Sequence, residues 1–173
     1  DLEIMIRFTP GIECHTHEYI RTGSFDSKFG FGIEYLNNLF ASISETKHLK
    51  LKGIHAHIGS QIFELEPHKD LGEIMVNVIL NAKKFGHNIQ ELNVGGGLGI
   101  KYTKNDDPPS IDEWVKTIST SVVEACKKHS IDLPKLMCEP GRSIVSTAGI
   151  TIYKIGAFKE IPGIRTYLSV DGG

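Results

Sequence analysis

The chain has 173 residues, 40% of them hydrophobic and 23% charged, with a formal net charge of −2. That is the composition of a globular domain or part of one, without the basic footprint of a nucleic-acid or membrane-surface binder and without an apolar run near the ~20 residues a bilayer span requires. Its three cysteines, Cys14, Cys126 and Cys138, are widely spaced, so neither a zinc knuckle nor a disulfide framework is indicated. With no signal-peptide pattern, a reducing, cytoplasmic setting is expected.

Residues 4–8 read as a short strand ended by Pro10, followed by a turn-rich loop, "GIECHTHEYIRTGSFDSKFGFG". Leu36, Leu39, Phe40 and Ile43 recur at helical spacing within residues 34–46. "LKLKGIHAHIG" is a second strand. Pro67 suits the first turn of a helix running to Phe85, with Leu71, Ile74, Val78, Ile79 and Ala82 on one face and Gly86 as its stop. "IQELNVGGG" is a third strand, and Ser110 with Glu113 makes a capping box for a helix reaching Lys128. "LPKLMCEPGR" is a fourth strand, with a short helix or turn over 143–148. The pattern then changes. "GITIYKIGAFKEI" and "RTYLSVDGG" are two extended runs joined by "PGI" with no helix between, the signature of antiparallel pairing.

Four strand–helix units in succession indicate an α/β fold with a parallel sheet, either doubly wound or a slice of a (β/α)8 barrel. A whole barrel takes about 250 residues, so this chain would supply roughly half of one. Both chain ends interrupt strand-like runs, which is expected of an internal fragment. The polar and glycine clusters all follow strands, on the face where either architecture binds ligands.

"NVGGGLG" frees the backbone of Cβ atoms at Gly95, Gly96 and Gly97, allowing an anion to approach main-chain amides. A dinucleotide fingerprint fails, because Ile100 stands where its third glycine belongs. In "CEPGR", Pro140 and Gly141 set a sharp turn that leaves Glu139 and Arg142 at a strand mouth. A carboxylate there can hold a cationic ring nitrogen, and an arginine can grip phosphate or carboxylate with its fork. A local Glu139–Arg142 ion pair is the plain alternative. In "IHAHIGSQ", strand alternation would point His55 and His57 the same way, as in metal-binding H-x-H pairs. "CHTHEY" repeats the spacing at His15 and His17, although Arg142 beside Glu139 is a poor neighbour for a dication. Lys28 lies in a loop and reads as one half of a charge pair. His48, His68, His87 and His129 fall in helices or at their ends and read as surface residues.

Together "TGSFDSKFGF", "HIGSQ", "ELNVGGGLGIKYTKNDDPPS", "CEPGRSIV" and "YLSVDGG" resemble the diaminopimelate decarboxylase family. These are pyridoxal-phosphate enzymes of the alanine-racemase-like barrel group. The resemblance covers nearly the whole chain. It implies a partial pyridoxal-phosphate-binding barrel over 1–148 and the start of a C-terminal β domain over 149–173. It implies that His57 stacks on the pyridine ring, and that Ser60 and Gly95–Gly97 hold the phosphate. Glu139 would bond the ring nitrogen, Pro140 and Gly141 would shape the turn, and Arg142 would meet phosphate and a substrate carboxylate. It further implies decarboxylation of meso-2,6-diaminopimelate to L-lysine in a homodimer with a shared active site. The family's Schiff-base lysine context and its later Cys–Glu segment have no match here, so this chain alone is expected to be inactive.

Two other enzyme classes compete. A sister decarboxylase would act on ornithine, arginine or a carboxynorspermidine. A metal-dependent amidohydrolase would use the H-x-H pairs. A catalytically dead binding module is a further alternative.

Overall fold

Residues 1–12 and 28–172 are described by the computed structural model, and their largest unit is a five-stranded, all-parallel sheet. Its strands are β1 (Leu2–Thr9), β2 (Phe31–Gly32), β3 (Leu49–His55), β4 (Glu91–Asn93) and β5 (Lys135–Met137), in spatial order β2-β1-β3-β4-β5. The crossovers hold α1 (Leu36–Ser44), α2 (Glu66–Lys84) and α3 (Ile111–His129). Strand followed by helix followed by parallel strand is the expected α/β organisation. After β5 come a one-turn helix, α4 (Arg142–Val145), and a 3-10 turn (Ser146–Ala148). A separate antiparallel hairpin then pairs β6 (Ile155–Ile161) with β7 (Arg165–Val170).

The local signals act where the sequence places them. Ser110 Oγ accepts the Glu113 amide at 3.2 Å while Glu113 Oε2 accepts the Ser110 amide at 2.8 Å, closing the capping box of α3. Pro67 sits in the first turn of α2, and Gly86, at φ 85°, lets the chain leave that helix through the left-handed region. β2 departs from expectation, since its segment reads as loop. It spans two residues, paired through Phe8↔Phe31 and Thr9↔Gly32, too few for any alternation to show.

The core lies between sheet and helices. Ile54 and Leu92, fully buried on β3 and β4, join Phe40 of α1, Leu71 and Met75 of α2, and Ile118 of α3 in one cluster. Alternation sends the neighbours of these strand residues, His55 and Asn93, to the opposite face of the sheet.

His68 corrects an expectation. It is 1% exposed, not a surface residue. Its position on α2 explains this: residues 68, 71, 72 and 75 share one face of the helix, and all four are buried. Its ring meets the Trp114 indole edge-on, with centroids 5.6 Å apart and planes at 81°. Among the described residues neither His68 nitrogen nor Trp114 Nε1 has a hydrogen-bond partner. Burial, with a smaller contribution from His57, pulls the His68 pKa down to about 4. The unfolded chain therefore binds this proton first as pH falls. Stability is full above about pH 6.5, and about 3 kcal/mol of it is lost as pH drops from there to about 4. His68→Leu should remove that dependence, so urea-unfolding midpoints at pH 7 and pH 4.5 should converge in the variant relative to wild type.

Candidate active site

The ends of β3, β4 and β5 are tied together by the loops that follow them. β3 ends at His55, so His57 lies beyond the strand, and the two histidines take different partners instead of acting as one pair. Gly96 N–H donates to His57 Nδ1 at 3.2 Å. Gln61 clasps Ile100 twice, Nε2 donating to its carbonyl at 2.7 Å and Oε1 accepting from its amide at 3.1 Å. Ile62 N–H reaches Gly97 O at 3.0 Å, and Gly99 N–H reaches Ile62 O at 2.9 Å.

The glycine triplet is required by this packing. A Cβ on Gly96 would lie 2.3 Å from the Glu139 carbonyl oxygen, and one on Gly97, at φ 111°, 2.5 Å from that of Gly59. Two of the triplet's amides are spoken for: Gly95 N–H bonds Asn93 Oδ1 at 2.9 Å and Gly96 N–H bonds His57. A nest using all three amides, as expected from the sequence, is therefore not what this turn offers.

Glu139 follows β5 and is fastened at three points. Its amide donates to Gly95 O at 2.7 Å, its Oε1 accepts from Asn93 Nδ2 at 2.9 Å, and its Oε2 lies 3.3 Å from His55 Nε2. Burial lowers the pKa of His55, opposed by Glu139 and reinforced by Arg7. Burial likewise lowers that of His57, with Arg7 and His55 adding to it. Arg7 on β1 lies over the Phe29 ring, 4.8 Å from its centroid, and its pKa is lowered by burial against the attraction of Glu139.

Arg142, first residue of α4, does not pair with Glu139. Its Nε donates to Ser60 Oγ at 3.1 Å and its Nη1 to the Tyr102 hydroxyl at 2.5 Å. Hydrogen bonding with Ser146, then with Arg142, draws the Tyr102 phenol below its usual range. A cavity of about 190 Å³ adjoins this group, lined by Gly96, Gly97, Trp114, Pro140, Gly141 and Arg142 among others. Carboxylate and guanidinium are thus held apart, each in its own hydrogen-bonded setting. One ligand bearing a cationic group and an anionic group could address both.

Among the described residues no three His, Cys, Asp or Glu side chains gather as a metal shell, while His15 and His17 lie outside the described residues. Lys28 is exposed, with its Nζ 5.2 Å from the Phe29 ring centroid, and among the described residues it makes no ion pair. No helix among the described residues is long and apolar enough to cross a membrane. Sequence reasoning missed Asn93, Arg7 and Tyr102. Asn93 had a readable signal, being a lone polar residue between Leu92 and Val94 just before the glycines, but Arg7 and Tyr102 are joined to the site only by the fold.

Known proteins resemble this chain in sequence and in fold. A family model described as "Pyridoxal-dependent decarboxylase, pyridoxal binding domain" matches residues 1–146. The diaminopimelate decarboxylase of Synechocystis sp. is 55% identical over 99% of this chain and 37% of its own length, and that of Staphylococcus aureus 43% identical over 99% and 41%. The crystal structure of Helicobacter pylori diaminopimelate decarboxylase complexed with L-lysine superposes with a TM-score of 0.77 at 29% identity, over 99% of this chain and 41% of that one. The chain thus spans about two fifths of the relatives it matches. With a parallel barrel-type sheet, a glycine turn and a Glu–Pro–Gly–Arg turn at the strand mouths, and a family model over most of its length, the chain belongs to the pyridoxal-dependent decarboxylases.

Proposed function

We propose that the protein carrying this chain decarboxylates meso-2,6-diaminopimelate to L-lysine and CO2 with pyridoxal 5'-phosphate. The observation that carries this reading is the separation of Glu139, held by Asn93 and His55, from Arg142, held by Ser60 and Tyr102. Pyridoxal phosphate bears a ring nitrogen that is cationic when protonated and, at the other end, a phosphate. The donor set fits both ends: a carboxylate with both oxygens engaged, and a guanidinium beside a hydroxyl next to a glycine turn without side chains.

The residues divide the work between them. Glu139 keeps the ring nitrogen protonated, because a carboxylate within hydrogen-bond reach favours the charged form. Ser60, Arg142 and the Gly97 amide take the phosphate, while Gly95 and Gly96 let the loops close beneath it. The His57 imidazole, fixed by the Gly96 amide, stacks on the ring face. Pro140 and Gly141 set the turn that parts Glu139 from Arg142, and Arg142 also serves a substrate carboxylate. The cofactor, when bound, supplies the electron sink for the pair left as the C–CO2 bond breaks.

On the same reading the protein works in the cytoplasm as a homodimer with an active site shared between subunits. We propose residues 1–148 as the barrel part and 149–173 as the beginning of the C-terminal β domain. The diaminopimelate specificity follows the relatives, and L-lysine in the Helicobacter pylori complex is the product expected here.

The test is a substrate panel on the full-length protein loaded with pyridoxal phosphate. CO2 and lysine should form in equal amounts from meso-diaminopimelate, with turnover on ornithine, arginine and carboxynorspermidine at least 100-fold lower. Preferred turnover on one of those three would overturn the substrate, and zinc-dependent amide hydrolysis would overturn the class.

A further inference from the structure

The interior face of the sheet carries an unusual row. Barrel interiors are filled mainly by bulky branched side chains. Here the pairing register sets Arg7 of β1 opposite His55 of β3, and His55 opposite Asn93 of β4. Three consecutive strands therefore present a cation, an imidazole and an amide at one level. Asn93 is also opposite Met137 of β5. Glu139, two residues further on, turns its carboxylate back to this row, taking Asn93 Nδ2 at 2.9 Å and His55 Nε2 at 3.3 Å.

His55 and Asn93 are buried, 9% and 6% exposed, whereas the Glu139 side chain is 55% exposed. The fixed partners are thus the strand residues, and the carboxylate is the group being held. We propose that His55 and Asn93 are positioning residues that clamp the Glu139 carboxylate, one oxygen each, and keep it oriented for the cationic group of its ligand. This rests on the reading of Glu139 as the partner of the cofactor's ring nitrogen.

The chemistry constrains the clamp. An ionised carboxylate only accepts hydrogen bonds, so His55 must carry its proton on Nε2. Burial favours the neutral ring, which makes this the Nε2–H tautomer, a donor without net charge. Asn93 works in two directions, its Nδ2 donating to Glu139 while its Oδ1 accepts the Gly95 amide. The clamp and the glycine turn thus share one side chain. The charged and titratable groups facing His55 are Arg7, His57 and Glu139. Arg7, in the same row, attracts Glu139 as well.

The substitutions separate holding from packing. Asn93→Asp preserves size and the acceptor for Gly95 but replaces the donor with a second carboxylate. Like charges at that distance cannot both ionise readily, and one pKa of the pair rises. His55→Gln offers an N–H near the position of the imidazole Nε2, and His55→Leu fills space with no donor.

The experiment uses the full-length protein in two states. In the cofactor-free protein, side-chain carboxyl titration by 13C NMR should show an apparent pKa raised by about 2 units or more in Asn93→Asp relative to wild type. In equilibrium dialysis, pyridoxal phosphate affinity should fall at least tenfold in Asn93→Asp and His55→Leu and recover in His55→Gln. Unchanged carboxyl titration in Asn93→Asp, or equal losses in His55→Gln and His55→Leu, would overturn the clamp. If the titrations shift as stated while the wild type fails to bind pyridoxal phosphate, the clamp stands and the cofactor reading falls, so the two failures are distinguishable.

Discussion

Arg142→Met in the full-length protein should weaken pyridoxal phosphate binding by about 100-fold, the scale of removing one charged partner from a desolvated ion pair. The guanidinium is already engaged by its edges, with Nε on Ser60 and Nη1 on Tyr102, and its Cζ lies 5.7 Å from the Tyr102 ring centroid. That grip fixes the plane of the fork, so an incoming phosphate finds a set orientation instead of a swinging cation. Arg142→Lys should recover little of the loss, because an ammonium restores charge but not the fork or the stacking. Tyr102→Phe keeps the ring and removes the hydroxyl, and should cost less than either. Fluorescence titration of the cofactor-free protein would read all three. An Arg142→Met variant that binds within threefold of wild type would remove Arg142 from the phosphate site.

Gly96→Ala should destabilise the protein by about 1–3 kcal/mol, the usual cost of overpacking, although one methyl group is added and no polar contact is deleted. The new carbon would sit 2.3 Å from the Glu139 carbonyl oxygen, and that backbone cannot easily retreat, since the Glu139 amide is bonded to Gly95 O at 2.7 Å. The strain falls on the segment presenting Glu139, so cofactor retention should drop together with the melting temperature. Gly149→Ala meets nothing within 4 Å and is the control, expected within about 0.5 kcal/mol of wild type. Calorimetry of both variants in the full-length protein decides it, and equal effects would mean that the close approach at Gly96 is not the cause.

The elements that were legible in the sequence are those whose signals are local. Ser110 and Glu113 announce the start of α3 three residues apart, and Pro67 and Gly86 bracket α2. The α/β organisation and the antiparallel hairpin follow from patterns a few residues long, and the structure has both. Where the residues left alternatives open, the deciding partner was distant. The H-x-H spacing alone could not say what either ring meets, and one partner of His57, the amide of Gly96, lies 39 residues away. The choice between an ion pair and two separate charges at Glu139 and Arg142 depends on Asn93, His55, Ser60 and Tyr102, all far along the chain. The glycine triplet shows the limit most clearly. A missing Cβ can make room for a ligand or for a neighbouring strand end, and only the register of β4 against β3 and β5 tells which. His68 was readable in principle, one turn before Leu71 on the buried face, because helical period outweighs the usual exposure of histidine.

The stitching of the loop after β3 to the loop after β4, through Gln61 and Ile100 and through Ile62, Gly97 and Gly99, bears on how tightly a ligand can be held. Binding to floppy loops must offset the entropy lost as they order. Here that ordering is completed when the chain folds, and the same bonds that join the strands leave the ligand-facing surface preorganised. Substitutions at Gln61 should therefore register in the entropy of ligand association more than in any direct contact, even though its side chain is spent on the backbone of Ile100.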